Sequence, residues 1–323
     1  MTRWRPSSGP DAARRRAEIL QRLRQHFLRS ETLEVDTPAL SRYAVSDTQI
    51  ESLEVGGSIS GTPLFLHTSP EFCMKRLLAA GYPDIYSVCR VFRDGETGKR
   101  HQPEFTMIEW YRLGMGLSDI VADTVATIAA TLDQPDLASE VIVLDYRSVF
   151  ADVAGIDPVN ASIAELGDVA DADKDLRGAL GDKRDHWLDL ILTQRIAPTF
   201  NNNKLTVLQH FLASQAALAQ LCPADEAVAD RFEVFMGQLE LANGYVELTD
   251  ATEHVRRVAI DQDERRHRAR PVRAHDKSLL AALQSGLPAC AGVAMGLERL
   301  QMIHDKTDDI RDVLTFAFED KDV

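Results

Sequence analysis

Long apolar runs are missing from this sequence. No uninterrupted stretch approaches the ~18–20 residues of a membrane span, and the opening MTRWRPSSGPDAARRR has no apolar core of the kind a secretory signal carries. The expectation is a cytoplasmic chain without membrane contact. Cysteine is scarce: Cys73, Cys89, Cys222 and Cys290 are scattered, with no CxxC pair and no ligand-spaced histidines. That excludes a disulfide framework or a zinc ribbon and predicts free thiols. Basic residues are outnumbered, 36 Lys and Arg against 50 Asp and Glu, for a net charge of −14. Such a chain gains little from a phosphate backbone, which disfavours a dedicated nucleic-acid binder. Common catalytic signatures are also missing: no phosphate loop, no GxGxxG opening a helix, no HExxH and no GxSxG. The stretch from Gly95 to Lys99 has the wrong spacing for a phosphate loop.

What is present is ordinary globular material. The 323 residues are 45% apolar and 27% charged, enough to bury a core and to form about two domains, or one large domain with an insertion. Residues 11–29 read as an amphipathic helix with Ile19, Leu20, Leu23, Phe27 and Leu28 on its apolar side. The first thirty residues carry Arg3, Arg5, Arg14, Arg15, Arg16, Arg22, Arg24 and Arg29. This basic run is either a solvated face or a docking surface for an acidic partner. Residues 32–40 are extended, and Leu64–His67 is a short strand. Ser69 and Pro70 open a helix that closes at Gly81. Residues 85–93 and 104–113 are strands around an exposed polar loop, and 117–132 is helical. From about 134 to 203 the composition turns to Ala, Asp and Asn, which predicts a peripheral helical insertion outside the sheet. Strands return at 205–210, 231–236 and 239–248. A charged helix follows at 250–268, and Ala291–Leu297 is a small, Gly-rich strand leading into a helix. The fold class expected is α+β, a mainly antiparallel sheet flanked by helices.

Three segments concentrate chemistry. The first spans 89–114. It sets Arg93 at a strand end, then Lys99, Arg100 and His101 in the loop, then Phe105, Glu109 and Tyr111 on the returning strand. Glu109 and Tyr111 are two apart and share a strand face; the cations could grip a triphosphate, or the segment is a charged hairpin with incidental acids and bases. The second is LELANGYVELTD (239–250). Glu240 and Glu247 are seven apart, so on a regular strand they face opposite sides and converge only through a bulge or bend, for which Gly244 is a candidate. Two carboxylates near a triphosphate suit Mg²⁺, or they are solvated surface groups. The third is AGVAMGLERL (291–300). Its small residues Gly292, Ala294 and Gly296 alternate ahead of Arg299. They let a flat ligand approach the backbone, or they serve tight packing.

Together and in this order, the segments resemble the class II aminoacyl-tRNA synthetases, most closely the lysyl branch. LEVDTPAL is similar to motif 1 with Pro38 at a dimer interface, FRDG…RHQPEFTMIEWY to motif 2, and GVAMGLERL to motif 3. HTSPEFCMKRLL (67–78) and LELANGYVELTD resemble lysyl-branch segments that build the amino-acid and metal sites. The resemblance spans nearly all of residues 1–323. It implies one class II catalytic domain carrying the insertion at about 134–203, acting as a homodimer. Only about 30 residues precede motif 1, so the anticodon-binding domain of lysyl-tRNA synthetases is expected to be missing and tRNA is not the expected partner. This resembles the stand-alone members of the branch, which attach (R)-β-lysine, or lysine, to a lysine side chain of the acceptor protein elongation factor P. Ser69 and Ala294 stand where lysyl-tRNA synthetases have Ala and Gly. A reshaped pocket is the expected way to prefer a β-amino acid.

The resemblance implies ATP as substrate with Mg²⁺, and gives each residue a role. Arg93 contacts the substrate carboxylate and the α-phosphate. Phe105 stacks on adenine, and Arg299 holds the nucleotide from the other side. Asp94, Gly95, His101, Gln102, Leu241 and Gly296 complete the ATP site. Glu240 and Glu247 match positions near Mg²⁺ and substrate. Ser69, Pro70, Glu71, Glu109, Tyr111, Glu247 and Ala294 form the amino-acid site: Glu71 and Tyr111 meet the distal ammonium and Glu109 the other amine. The sequence departs from the family's Arg-x-Glu at Arg93-Asp94-Gly95, with Glu96 one position late. Either Glu96 or Asp94 substitutes, or adenine is read by backbone and stacking. Gln102 replaces a usual Asn and Leu212 a usual Pro. Two other readings are a truncated synthetase-like adenylating enzyme with another acceptor, tRNA or ammonia, and a non-catalytic regulatory paralogue.

Overall fold

The computed structural model describes residues 4–56 and 62–318. Its centre is an eight-stranded sheet. In chain order the strands are β1 (Leu33–Glu34), β2 (Ile85–Phe92), β3 (Glu104–Leu113), β4 (Ile142–Asp145), β5 (Leu205–Gln209), β6 (Arg231–Met236), β7 (Leu239–Val246) and β8 (Cys290–Gly296). Their spatial order is β1-β2-β3-β8-β7-β6-β5-β4. Only the two edge pairings, β1 with β2 and β4 with β5, are parallel. The helices around it are α1 (Pro10–Arg29), α2 (Glu71–Ala79), α3 (Leu117–Leu132), α4 (Ala251–His267), α5 (Lys277–Gly286) and α6 (Leu297–Asp305), besides those of the insertion.

Alternation along the strands divides the sheet into two unlike faces. One face is apolar. Tyr86, Ile108, Trp110, Val293, Met295, Ala242, Val246, Phe232 and Val234 are buried there with residues of α1, α3 and α6. Phe27 of α1 stacks on Tyr86 with ring centroids 4.3 Å apart and lies 5.6 Å from Trp110. Each buried Ile, Val, Met or Phe among them stabilises the fold by roughly 1.5–3 kcal/mol through removal from water. The opposite face is covered only at its ends. At one end Met74 and Leu78 of α2 and Leu279 and Leu283 of α5 pack over Ile85 and Tyr111. At the other, Tyr146, Phe150, Trp187, Leu188 and Ile191 of the insertion pack over Leu208 and Phe235. The open trench between is where polar side chains stand.

Three expectations change. The insertion is not wholly outside the sheet: β4 forms its edge, pairing Ile142–Asp145 with Thr206–Gln209. Four residues between helical stretches give too short a pattern to separate from the helices. Leu28 is not on the buried side of α1 and is 76% exposed. The arginines of α1 are mostly committed within the molecule. Arg15 bonds Asp305 at 2.7 Å, and Arg16 reaches buried Glu298 at 3.0 Å and Thr106 at 2.6 Å. Arg22 bonds the Thr131 carbonyl, Arg24 pairs with Glu34, and Arg14 with Asp11. Arg3 lies outside the described residues. Arg15, Arg16 and Arg22 tie the helix to the rest of the molecule, while Arg14, Arg24 and Arg29 remain exposed.

Candidate active site

The trench floor follows from strand register. Glu109 pairs with Ala294, and Ala294 with Asn243; Tyr111 pairs with Gly292, and Gly292 with Tyr245. These residues therefore share one face. Glu240 joins them through a bulge. Val234 pairs with Ala242 but Phe235 with Glu240, so Leu241 is the extra residue. The slip reverses the side-chain parity and puts Glu240 on the face of Asn243, Tyr245 and Glu247. The bulge lies at Leu241 and not at Gly244. Gly244 is needed for another reason: a Cβ there would lie 2.7 Å from the Phe232 ring.

The α2 end of the trench is a buried cluster of acids. Ser69, just ahead of α2, accepts from the Glu71 amide at 3.0 Å and donates to Glu109 Oε2 at 2.7 Å. Pro70 takes the cap position of α2, so Ser69 organises the helix entry without being its cap. Tyr111 donates to Glu109 Oε1 at 2.8 Å, and Tyr245 to Glu71 Oε1 at 3.3 Å. Lys75, one turn into α2, lies 2.7 Å from Glu71 Oε1 and 2.5 Å from Glu247 Oε2. Burial opposes its charge, but the Glu247 and Glu71 carboxylates outweigh that and raise its pKa. Glu109 has no such cation. Burial and the neighbouring Glu71 charge push it up to about 7, against the hydrogen bonds from Ser69 and Tyr111. Glu247 Oε1 has no hydrogen-bond partner although the residue is 1% exposed.

The β2–β3 loop and α6 make the other end. The Arg93 guanidinium sits 5.1 Å from the Phe105 ring centre, and its Nε is buried without a partner. Glu96 reaches Arg93 at 3.5 Å, whereas Asp94 is exposed. Gly95 has φ +77°, a conformation that favours glycine. The turn brings the late acid back to the arginine. Arg299, following Gly296, donates to the Glu240 carbonyl at 2.9 Å, to its carboxylate at 3.2 Å and to His101 Nε2 at 2.8 Å. Burial and Arg299 lower the His101 pKa, and its Nε2 accepts from the guanidinium, which can only donate. Arginines placed around an aromatic plate can bind a planar base with phosphates attached. The acid cluster can bind ammonium groups.

Two expected ATP-site side chains are used otherwise. Leu241 is buried in the apolar core, leaving only its backbone at the site. Gln102 is 4% exposed and accepts from the Phe318 amide. Glu240 and Glu247 share a face but not partners, being bonded to Arg299 and Lys75 respectively. The donor set fits a magnesium ion at Glu240, a half-exposed carboxylate beside the arginine. Glu247 contacts the Lys75 ammonium through Oε2. Sequence reasoning passed over Lys75 and Tyr245. The first was detectable, because Glu71 and Lys75 at i, i+4 lie on one helix face.

The profile of the tRNA synthetases class II (D, K and N) matches residues 3–320, and the chain is a class II synthetase-fold protein. Three curated relatives narrow this. They are the elongation factor P–(R)-β-lysine ligases of Pseudoalteromonas translucida, 40% identical over 97% of both chains, of Sodalis glossinidius, 40% identical over 98% of both, and of Haemophilus influenzae, 38% identical over 99% of this chain and 98% of the relative. Within its class the chain belongs to the family of elongation factor P–(R)-β-lysine ligases.

Proposed function

We propose that the chain uses ATP to activate (R)-β-lysine, or lysine, as an aminoacyl-adenylate and transfers the acyl group to a lysine side chain of elongation factor P. The observation that carries this is the pairing of ends in one trench: buried carboxylates for ammonium groups, and arginines with an aromatic plate for a nucleotide. The relatives' name supports the acceptor and the β-amino acid.

The substrate carboxylate attacks the α-phosphorus, and the bond to the bridging oxygen breaks as pyrophosphate leaves. The neutral amine of the acceptor lysine then attacks the acyl carbon, the C–O bond to AMP breaks, and the proton lost by nitrogen passes to a phosphate oxygen of the departing AMP as the amide forms. Arg93, whose Nε lacks a protein partner, is assigned the substrate carboxylate and α-phosphate. Arg299 holds phosphate from the α6 side, while Phe105 stacks on adenine. Both arginines act by position and charge, which suits a reaction in which negative charge is redistributed between fixed atoms. His101 orients Arg299 by accepting a hydrogen bond from its guanidinium. Glu96 keeps Arg93 aimed. Glu71 and Tyr111 are assigned the distal ammonium and Glu109, bonded to Tyr111, the other amine, with Glu247 joined to Glu71 through Lys75. Glu240 would hold Mg²⁺, which supplies charge neutralisation for the phosphates. Ala294 places a methyl on the floor between the ends. The dimer is assigned to the Pro38 segment, where Leu33 and Leu40 are about half exposed, and the compartment is the cytoplasm. Among the described residues no helix is long and apolar enough to cross a membrane.

Amino-acid-dependent ATP–pyrophosphate exchange with (R)-β-lysine, lysine and aspartate tests the first half. Mass gain on elongation factor P tests the second. Exchange favouring the lysines and a one-residue mass gain are expected; no exchange with any of the three overturns the reading.

A further inference from the structure

We propose that Lys75 is a resident counter-ion that sets the charge of the amino-acid pocket, so that the pocket accepts substrates bearing two ammonium groups. The inference rests on the reading above and deepens it. Three carboxylates converge on the α2 end of the trench: Glu71 from the helix, Glu109 from β3 and Glu247 beyond β7. Glu109 and Glu247 are 2% and 1% exposed, so water does little to neutralise them. Lys75 is the cation bonded to this group among the described residues, at 2.7 Å from Glu71 and 2.5 Å from Glu247. Its stem is buried at 2% exposure, and its ammonium lies 5.8 Å from the Tyr245 ring centre. One ammonium against three carboxylates leaves two acids without a cation; burial raises the pKa of Glu109 and of Glu247, so both ionise fully only when ammonium groups enter. Lysine and its β-isomer each bring two ammonium groups, while their carboxylate is assigned to Arg93 outside this cluster.

The acceptors left over agree with that count. Glu109 takes hydrogen bonds only from the uncharged Ser69 and Tyr111 hydroxyls. Glu247 Oε1 is buried with no hydrogen-bond partner, and it stands over Gly292, where a Cβ would lie 2.4 Å from it. A glycine floor, a partnerless oxygen and a carboxylate without a cation are what a buried ammonium needs. Were Lys75 absent, the pocket would carry one charge too many. With Lys75 kept and Glu247 neutral, it would match an amino acid with a single ammonium. Lys75 is thus a specificity residue that need not touch the reacting atoms.

The test compares the full-length wild type with Glu247→Gln, Lys75→Met and the double variant. Calorimetric binding of lysine and of norleucine, which lacks the second ammonium, is measured beside pyrophosphate exchange. Thermal unfolding identifies the variants that fold. Glu247→Gln is expected to cut the lysine-over-norleucine preference on the order of a hundredfold, the effect of a unit charge about 5 Å away at an effective dielectric of about 20. The double variant restores the charge count and is expected to regain at least about tenfold of that preference. A double variant no more selective than folded Glu247→Gln overturns the proposal. So does a Lys75→Met protein that folds and keeps wild-type selectivity. If Lys75→Met does not fold, the comparison of Glu247→Gln with the double variant decides. Wild-type protein that binds lysine over norleucine but shows no exchange refutes the activation reading and leaves the charge match standing. Wild-type protein that does not bind either lysine isomer refutes both.

Discussion

Gly292→Ala is the smallest change that should disable this site. A Cβ built at Gly292 lies 2.4 Å from Glu247 Oε1 and 2.5 Å from Tyr111 Cε1, where ordinary contact is about 3.5–4.0 Å. Both neighbours must therefore retreat by about 1 Å. Neither has room, since Tyr111 and Glu247 are 2% and 1% exposed and β8 is held between two strands. Moving Tyr111 lengthens its 2.8 Å bond to Glu109, and moving Glu247 disturbs its 2.5 Å contact with Lys75. Overpacking of this kind costs about 1–3 kcal/mol, equivalent to about 2–4 °C of Tm per kcal/mol in a chain somewhat smaller than this one. Activity should fall much further, by about a hundredfold in lysine-dependent exchange, because displacement of about 1 Å at the substrate spoils alignment. Gly178→Ala is the control. It lies in the helix Lys174–Leu180 with open space around the added methyl, so it should keep full activity and gain up to about 1 kcal/mol. A Gly292→Ala enzyme with wild-type exchange and an unchanged Tm would refute the argument that the floor must be bare.

Four other outcomes are expected. Glu109, pushed up to about 7, keeps a proton in the folded protein that the unfolded chain releases near pH 4.3. Its stabilising contribution is full below that pH and is lost as pH rises towards 7. Ammonium binding favours the ionised form, so KM for lysine should fall as pH rises through 7. Glu109→Gln should flatten both trends in melting and exchange profiles, and trends that persist in the variant exclude Glu109 as their source. Glu240→Gln should raise the Mg²⁺ concentration needed for half-maximal exchange several-fold while leaving lysine binding by calorimetry within about twofold; an unaltered Mg²⁺ titration removes Glu240 from that role. Ala294→Gly should move the ratio of kcat/KM values from (R)-β-lysine towards lysine by up to the ~10–200-fold that one carbon is worth, and an unchanged ratio would show the methyl is not the discriminator. Arg16→Glu should lower stability by about 3 kcal/mol, because buried Glu298 loses its 3.0 Å partner. Denaturant titration checks this, and a loss confined to elongation factor P transfer at unchanged stability would restore α1 as a docking face.

The elements with strong periodicity were legible. The strands read at 85–93 and 104–113, found at 85–92 and 104–113, and the helix at 117–132 follow from alternation and turn residues alone. β4 was not legible, because four residues carry two periods at most and its partner β5 lies about sixty positions on. The same limit applies to α1. Its arginines read as a basic face because their partners, Asp305 and Glu298, are nearly three hundred residues away. A charge run becomes a surface or a set of ties only when the fold supplies the opposite charges.

The site divides along a similar line. That Glu109 and Tyr111 share a face needs only the pleat. That Glu240 joins Glu247 needs a bulge, which the seven-residue spacing required but could not locate. Its position at Leu241 follows from that side chain being drawn into the apolar core, where it is 1% exposed, while Glu240 stays with the trench. The bulge thus lets one short strand serve a hydrophobic layer and a charged one at once. It also divides the work of the two glutamates. Glu240, beside Arg299, sits at the phosphate end, and Glu247, beside Lys75, at the ammonium end. Two acids that look equivalent in the sequence acquire opposite duties from the cation each one meets, and those cations lie on α6 and α2, brought to the strand by the packing of the sheet's two faces.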